Sequence, residues 1–214
     1  IWLIARFKLM KNKSLIFNSH SLLTTSKFLM VCNILFFGIF YVNDTVSNEI
    51  QVSPEQIISK ITGEILDDIK NDPDLAAGDW TKINKLVDAK VMPVVDFEKM
   101  TSMAVGKYWR SASPDQKTKL MKTFREVLVL TYSGAIRFAD KADMKILPPR
   151  RKPTDVDVIV RTRVTVTGRQ PVPIDYRLKK TDLGWRIFDL NVLGLWLIEN
   201  YRAQFGQIIS RNGI

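Results

Sequence analysis

The sequence predicts an α+β fold, with helices first and an antiparallel meander after them, and three observations carry the prediction. Between Ser53 and Phe138 apolar residues recur at every third or fourth position. From Val156 to Val192 they recur at every second position, in runs separated by short turns. The change of period falls at "LPPRRKP", whose prolines 148, 149 and 153 suit a stiff loop rather than a helix.

The elements follow in order. Ser53-Pro54 is an N-cap and first-turn pair, and Ile57, Ile58, Ile61, Ile65 and Ile69 form the buried stripe of a first helix. "NDPDLAAGDW" (Asn71 to Trp80) is turn chemistry and closes it. A shorter helix is expected from about Trp80 to Val91, ending near Pro93. Asp96 caps a third, with Phe97, Met100 and Ala104 on one face. Ser113-Pro114-Asp115-Gln116 is a capping box with proline in the first turn, and it starts a long helix whose stripe includes Phe124, Leu128, Tyr132 and Phe138.

Segment 143–148 is expected to add a first strand. In "VDVIVRTRVTVTG" residues Val156, Val158, Val160, Val164 and Val166 point to one side, against Asp157, Arg161, Arg163, Thr165 and Thr167. "VPIDYRLKK" repeats the alternation with Ile174, Tyr176 and Leu178. "DLGW" turns into a last strand carrying Phe188, Leu190 and Val192, and a helix from about Leu195 to Arg211 ends the pattern. The expected sheet is twisted and antiparallel, of about four strands, with one apolar and one charged face.

Residues 1–42 read as a secretory leader ahead of a single domain at 43–214. Residues Phe28 to Val42 are almost wholly apolar, and Arg6, Lys8, Lys11, Lys13 and Lys27 precede them with no acid before Asp44. That run is short for a membrane span of about 20 residues and suits the core of a signal peptide. The cut is expected between Val42 and Gln51; an uncleaved N-terminal anchor is the alternative. The leader takes with it the one histidine (His20) and the one cysteine (Cys32). Five of the 32 basic residues and none of the 22 acids lie before residue 43, so the net charge falls from +10 to +5. That bias is too small for a dedicated nucleic-acid binder. With 46% apolar residues, an exported domain of this length can build a core without disulfides.

Chemistry is limited by what is missing. Without His or Cys beyond the leader, Ser-His and Cys-His nucleophiles cannot be assembled, and zinc and haem lose their usual ligands. The glycines have no phosphate-loop spacing. No cofactor is expected. Asp189, alternating with apolar residues near Trp185, could serve an isomerase or hydrolase as base; its structural alternative is a pairing with Arg202 or a backbone group. Arg150, Arg151 and Lys152, with Arg163 and Arg177 on the sheet's polar face, could meet phosphate groups or an acidic partner, or simply be solvated.

What remains is apolar surface in excess of a plain two-layer core. Phe97 and Met100, the stripe of Phe124, Leu128 and Tyr132, the valines Val158, Val160, Val164 and Val166, and Ile174, Tyr176, Phe188, Leu190 and Val192 all turn inward on this pattern. The joint Leu193-Gly194-Leu195-Trp196 adds Leu195 and Trp196. A curved sheet closed by helices can hold such residues around a cavity, and Met92, Met100, Met103 and Met121 suit a wall that adapts to flexible chains. A solid core in an adaptor protein is the competing reading.

The block from Val91 to Ile209 resembles the MlaC phospholipid-binding family, also called the toluene-tolerance family, of Gram-negative periplasms. The likeness rests on Asp96-Phe97, the run Gly106-Lys107-Tyr108-Trp109-Arg110, Phe124 with Leu128, Thr131-Tyr132, Tyr176-Arg177, Gly184-Trp185, Asp189, and Asn200-Tyr201-Arg202 with Phe205. It implies an NTF2-like cone enclosing an apolar cavity that shelters acyl chains, with phospholipid as bound ligand and no catalysis. It also implies a periplasmic monomer shuttling lipid between an outer-membrane lipoprotein complex and an inner-membrane ABC transporter complex. One departure stands out: the family usually has Glu-Gly-hydrophobic-Ser where this chain reads Leu193-Gly194-Leu195-Trp196.

Overall fold

The computed structural model describes residues 52–214, so the expected leader and its cleavage region lie outside the described residues. The described chain is α+β, with six α-helices and one five-stranded antiparallel sheet whose order, β1-β2-β3-β4-β5, follows the chain.

Helix α1 (Pro54–Asn71) begins at a reciprocal capping box: the Ser53 hydroxyl accepts from the Gln56 N–H while the Gln56 side chain accepts from the Ser53 N–H. The stretch expected to be only a turn contains a five-residue helix, α2 (Pro73–Ala77). Asp72 caps it, with its carboxylate accepting from the N–H groups of Asp74 and Leu75, Pro73 sits in the first turn, and Gly78 ends it at φ 98°. Helix α3 (Trp80–Leu86) then passes into a π-helical turn, Val87–Val91, and a 3-10 turn, Met92–Val94. Pro93 has no N–H to extend an α-helix, and the Met92 N–H reaches back five residues to the Val87 carbonyl.

Helix α4 (Phe97–Val105) is capped by Asp96, as expected. A second reciprocal box, Ser113 with Gln116, starts α5 (Pro114–Tyr132), and a 3-10 segment, Ser133–Lys141, leads into the sheet.

Strands β1 (Ala142–Ile146), β2 (Asp157–Val166), β3 (Val172–Thr181) and β4 (Gly184–Val192) form the meander. A two-residue strand β5 (Leu195–Trp196) pairs with the end of β4 where a helix was expected to begin; α6 (Leu197–Asn212) starts two residues later. On β2 the buried row is Val158, Val160 and Thr162, while Val156 lies before the strand and is exposed. The Thr162 hydroxyl donates to the Ile174 carbonyl, so a polar residue sits in this row at little cost.

One irregularity decides what β4 can do. Arg177 faces Asp189 and Leu178 faces Ile187, so Phe188 has no partner on β3 and forms a bulge. The bulge breaks strict alternation. Trp185 and Ile187 pack with Ile58 of α1 and with Val158, Val160 and Leu178, whereas Phe188 joins a cluster built by α4, α5 and α6 around Phe124 and Tyr201. Leu190 touches both clusters. A third cluster, Ile69, Leu75, Ile83, Leu86 and Val129, ties the first three helices to α5. Among the described residues no helix is long and apolar enough to cross a membrane.

Candidate functional site

The three clusters do not fuse. Between them lies an apolar cavity of about 330 Å³. Ile83 of α3, Val87 and Val91 of the π turn and Met92 form one wall. Ile83, Val87 and Val91 share a face by their four-residue spacing, and the wider π turn brings Met92, which an α-helix would rotate away, to the same side. Phe97 and Met100 of α4 and Leu128, Val129 and Tyr132 of α5 form the next wall, with Ile136 from the 3-10 segment. Ile174 and Tyr176 of β3, Leu190 and Val192 of β4, and Leu197 of α6 complete it from the sheet side.

Polar groups at the cavity are neutralised or kept neutral. Arg125 of α5 contributes to the lining, but its guanidinium is clamped to the opposite wall: Nε and Nη2 donate to Asp88 Oδ1 at 3.1 and 2.7 Å, and Nη1 donates to Asn84 Oδ1 at 2.8 Å. Burial pushes the Tyr176 phenol up to about 12, with its hydroxyl beside Thr162 and Thr62. Burial likewise raises Tyr132. Neither tyrosine brings a charge to the cavity at neutral pH. A larger concavity of about 600 Å³ lies between α1 and the β3–β4 turn, but Lys60, Glu64, Lys90, Lys180 and Asp182 contribute to it. Volume alone would favour it, yet an apolar ligand there would strip water from charges.

Of the residues singled out from sequence, Phe97, Met100, Leu128, Tyr132, Ile174, Tyr176, Leu190 and Val192 meet at this cavity. Phe124 and Phe188 stand behind it in the helix cluster. Val158 and Val160 are elsewhere, in the filled core against α1. Val164 and Val166 are half-buried where β2 pairs with β1, outside the lining. Leu195 is exposed, and Trp196 lies under the Arg177 guanidinium at 3.7 Å; neither lines the cavity. Sequence reasoning missed Ile83, Val87, Val91, Val129 and Ile136, although the four-residue spacing of 83, 87 and 91 was a usable signal.

Asp189 is fully buried and saturated. Its Oδ1 accepts from the N–H groups of Leu190 (2.9 Å) and Ile198 (3.1 Å), and its Oδ2 accepts from Arg177 Nη1 at 3.0 Å. Burial raises its pKa against the opposing pull of these donors. Because Trp196 offers no capping side chain, Asp189 caps α6 from the neighbouring strand. Arg202, the suggested partner, instead donates to the Met103 carbonyl. Of the basic group, Arg151 forms a two-point pair with Glu55, Arg177 is held by Asp189, and Arg150, Lys152 and Arg163 are exposed. None of the five lines the cavity. Among the described residues no group of three or more His, Cys, Asp or Glu is placed to hold a metal ion.

This geometry has relatives. A solved phospholipid-binding protein from Ralstonia solanacearum, in complex with a phospholipid, aligns with a TM-score of 0.71 and 38% identity, covering 73% of this chain and 87% of that one. The intermembrane phospholipid transport system binding protein MlaC of Haemophilus influenzae is 22% identical over 169 residues, which is 77% of this chain and 78% of the relative. The toluene tolerance protein ttg2D of Pseudomonas putida is 23% identical over 162 residues, or 75% of each chain. The family model described as MlaC protein matches residues 59–214, helices and sheet together, and the chain therefore belongs to the MlaC family.

Proposed function

We propose that this protein is a soluble periplasmic phospholipid carrier that shelters acyl chains in the apolar cavity and shuttles lipid between outer- and inner-membrane complexes of an ABC transport pathway. The cavity is the observation that carries the reading. The hollow is partly open, so without lipid it would hold water against an almost wholly apolar lining. Exposed apolar surface of this kind is unfavourable by about 25 cal/mol per Å², so the fold gains when something apolar fills the hollow. The phospholipid bound to the Ralstonia relative and the transport role in the name of the Haemophilus relative supply the class of filler.

Two acyl chains hold about 30 methylenes, worth roughly 0.8 kcal/mol each when removed from water, so crossing an aqueous compartment unaided would cost over about 20 kcal/mol. A carrier lowers that barrier without making or breaking a bond. The lining offers no general base: Asp189, the enzymatic candidate, lies outside it with its oxygens already engaged.

The experiment is native purification followed by lipid extraction and mass spectrometry. Co-purified phospholipid near one molecule per protein is the expected result. Protein isolated from its own membrane context with no phospholipid would overturn the reading.

A further inference from the structure

Strands β4 and β5 are joined by two residues, Leu193 and Gly194, because Val192 pairs with Leu195. Both take positive φ, 55° and 89°, which is the requirement of a type I′ hairpin turn. Asparagine, aspartate or glycine is at ease in the first of these positions; leucine is not, because its Cβ crowds the backbone there. Among the described residues Leu193 is the only non-glycine residue with positive φ. It is also 64% exposed, and Leu195 on the other side of the glycine is 65% exposed. Two leucines thus face solvent at this turn, one of them in a strained conformation; their backbones join the sheet, Leu193 N–H donating to the Pro173 carbonyl and Leu195 pairing with Val192, but their side chains stay mostly exposed. Strain of this kind, when the fold does not need it, points to a contact outside the molecule.

We propose that the Leu193–Leu195 turn is the element by which this protein seats itself on a phospholipid bilayer during lipid exchange. Three features select a bilayer over a protein partner. The turn offers two side chains around one glycine, far less than the roughly 800 Å² per side of a stable protein interface. Behind it stand Trp196 and, stacked on its ring at 3.7 Å, the Arg177 guanidinium; aromatic rings and arginines are the side chains that settle at headgroup depth. Arg177 is paired with Asp189 at 3.0 Å and lies 3.9 Å from Glu199, so its charge is offset locally; the chain from residue 43 onward still carries a net charge of +5, which favours an anionic surface. The turn is also continuous with the cavity: Val192 before it and Leu197 after it are lining residues. Seating the leucines among the headgroups brings that wall to the bilayer.

The inference rests on the lipid-carrier reading, and the two can fail separately. The test uses Leu193→Asn with Leu195→Thr, measured against vesicles of phosphatidylcholine and phosphatidylglycerol by co-sedimentation and by lipid transfer between vesicles. The double variant is expected to keep the wild-type melting temperature and co-purified lipid, because Asn relieves the turn and neither residue lines the cavity. Its vesicle binding and transfer rate are expected to fall roughly tenfold. A second measurement covers a variant that folds poorly: an environment-sensitive dye on Leu193→Cys, in a Cys32→Ser background, is expected to shift to the blue on adding vesicles. The same dye on Leu183→Cys, 78% exposed at the opposite end of β4, is expected not to shift. Unchanged transfer by the double variant, or a dye response at Leu183 and none at Leu193, overturns the proposal and leaves the turn to a protein partner. Wild-type protein that holds phospholipid yet binds no vesicles overturns it too, while leaving the carrier reading intact.

Discussion

Leu128 and Val160 look alike in the sequence, each an apolar residue on the inner side of its element, yet they stand in different physical situations. Val160 is 2% exposed among Ile58, Leu178, Trp185 and Ile187. Leu128 is half-buried and borders the cavity. A carboxylate at 160 would have no water and no partner, and Val160→Asp is expected to cost about 4 kcal/mol or more and to collapse the melting transition. Leu128→Asp can turn toward the open space and keep its hydration. It is expected to retain a cooperative melting transition while losing most co-purified phospholipid, measured by mass spectrometry of the extract. Unaltered lipid in a folded Leu128→Asp variant would remove Leu128 from the site. Phe188 has a third situation: it is the bulge residue, so its alternation with Ile187 is broken and it packs with helices instead of with the valines.

At the scale of elements, the cavity wall most able to move is the irregular one. The π turn and the 3-10 turns have poorer hydrogen-bond geometry than an α-helix, and Arg125 bridges from α5 to Asn84 and Asp88 across the gap. Charge-assisted bonds of this kind contribute about 1 kcal/mol when one partner is well exposed, as Asp88 is. Arg125→Ala is accordingly expected to speed lipid uptake and release by roughly fivefold in a vesicle-transfer assay, with little loss of helix content. A slower or unchanged rate would show that the wall does not open there.

Helix α1 is fastened to the loop before β2 by a two-point pair, Glu55 with Arg151. The hydrogen-bonded guanidinium holds the Glu55 carboxyl below its ordinary value of 4.5. A lowered folded pKa means that the pair's contribution is fully present above that ordinary value and is lost as pH falls through the folded one. Chemical denaturation of wild type and Arg151→Ala is expected to differ by about 1 kcal/mol at neutral pH, with the gap closing in the acid range. A gap that persists at low pH would assign the effect to packing.

For the whole molecule, cargo and stability are coupled. A ligand that binds only the folded state raises its stability, and a hollow that is filled also regains the dispersion contacts its lining lacks. Stripping the protein of lipid is therefore expected to lower its melting temperature by roughly 5–15 °C, and refilling from vesicles is expected to restore it. Equal melting temperatures for stripped and filled protein would argue for a centre that needs no filler.

The α+β class, the Ser53 N-cap, the Ser113 capping box, the period change at the proline-rich loop and the three long strands were legible because each depends on neighbours in the chain. The family resemblance read from residues 91–209 was legible for the same reason, being a matter of linear order. Even α2 left its marks in Asp72, Pro73 and Gly78, although residue types alone mark the segment as a turn. Other features required the chain to be folded upon itself. Periodicity tells which face turns inward, but not whether that face meets a packed neighbour or a space. So Val158 and Val160 of β2 were expected around the hollow and instead fill the core against α1, while Ile83, Val87 and Val91 line the hollow from a segment read only as a short helix. The partner of Asp189 was likewise undecided until β4, β5 and the start of α6 came together, because a buried carboxylate takes whichever donors the tertiary fold brings within about 3 Å. Order along the chain sets elements and lineage; only packing in three dimensions decides where matter is left out.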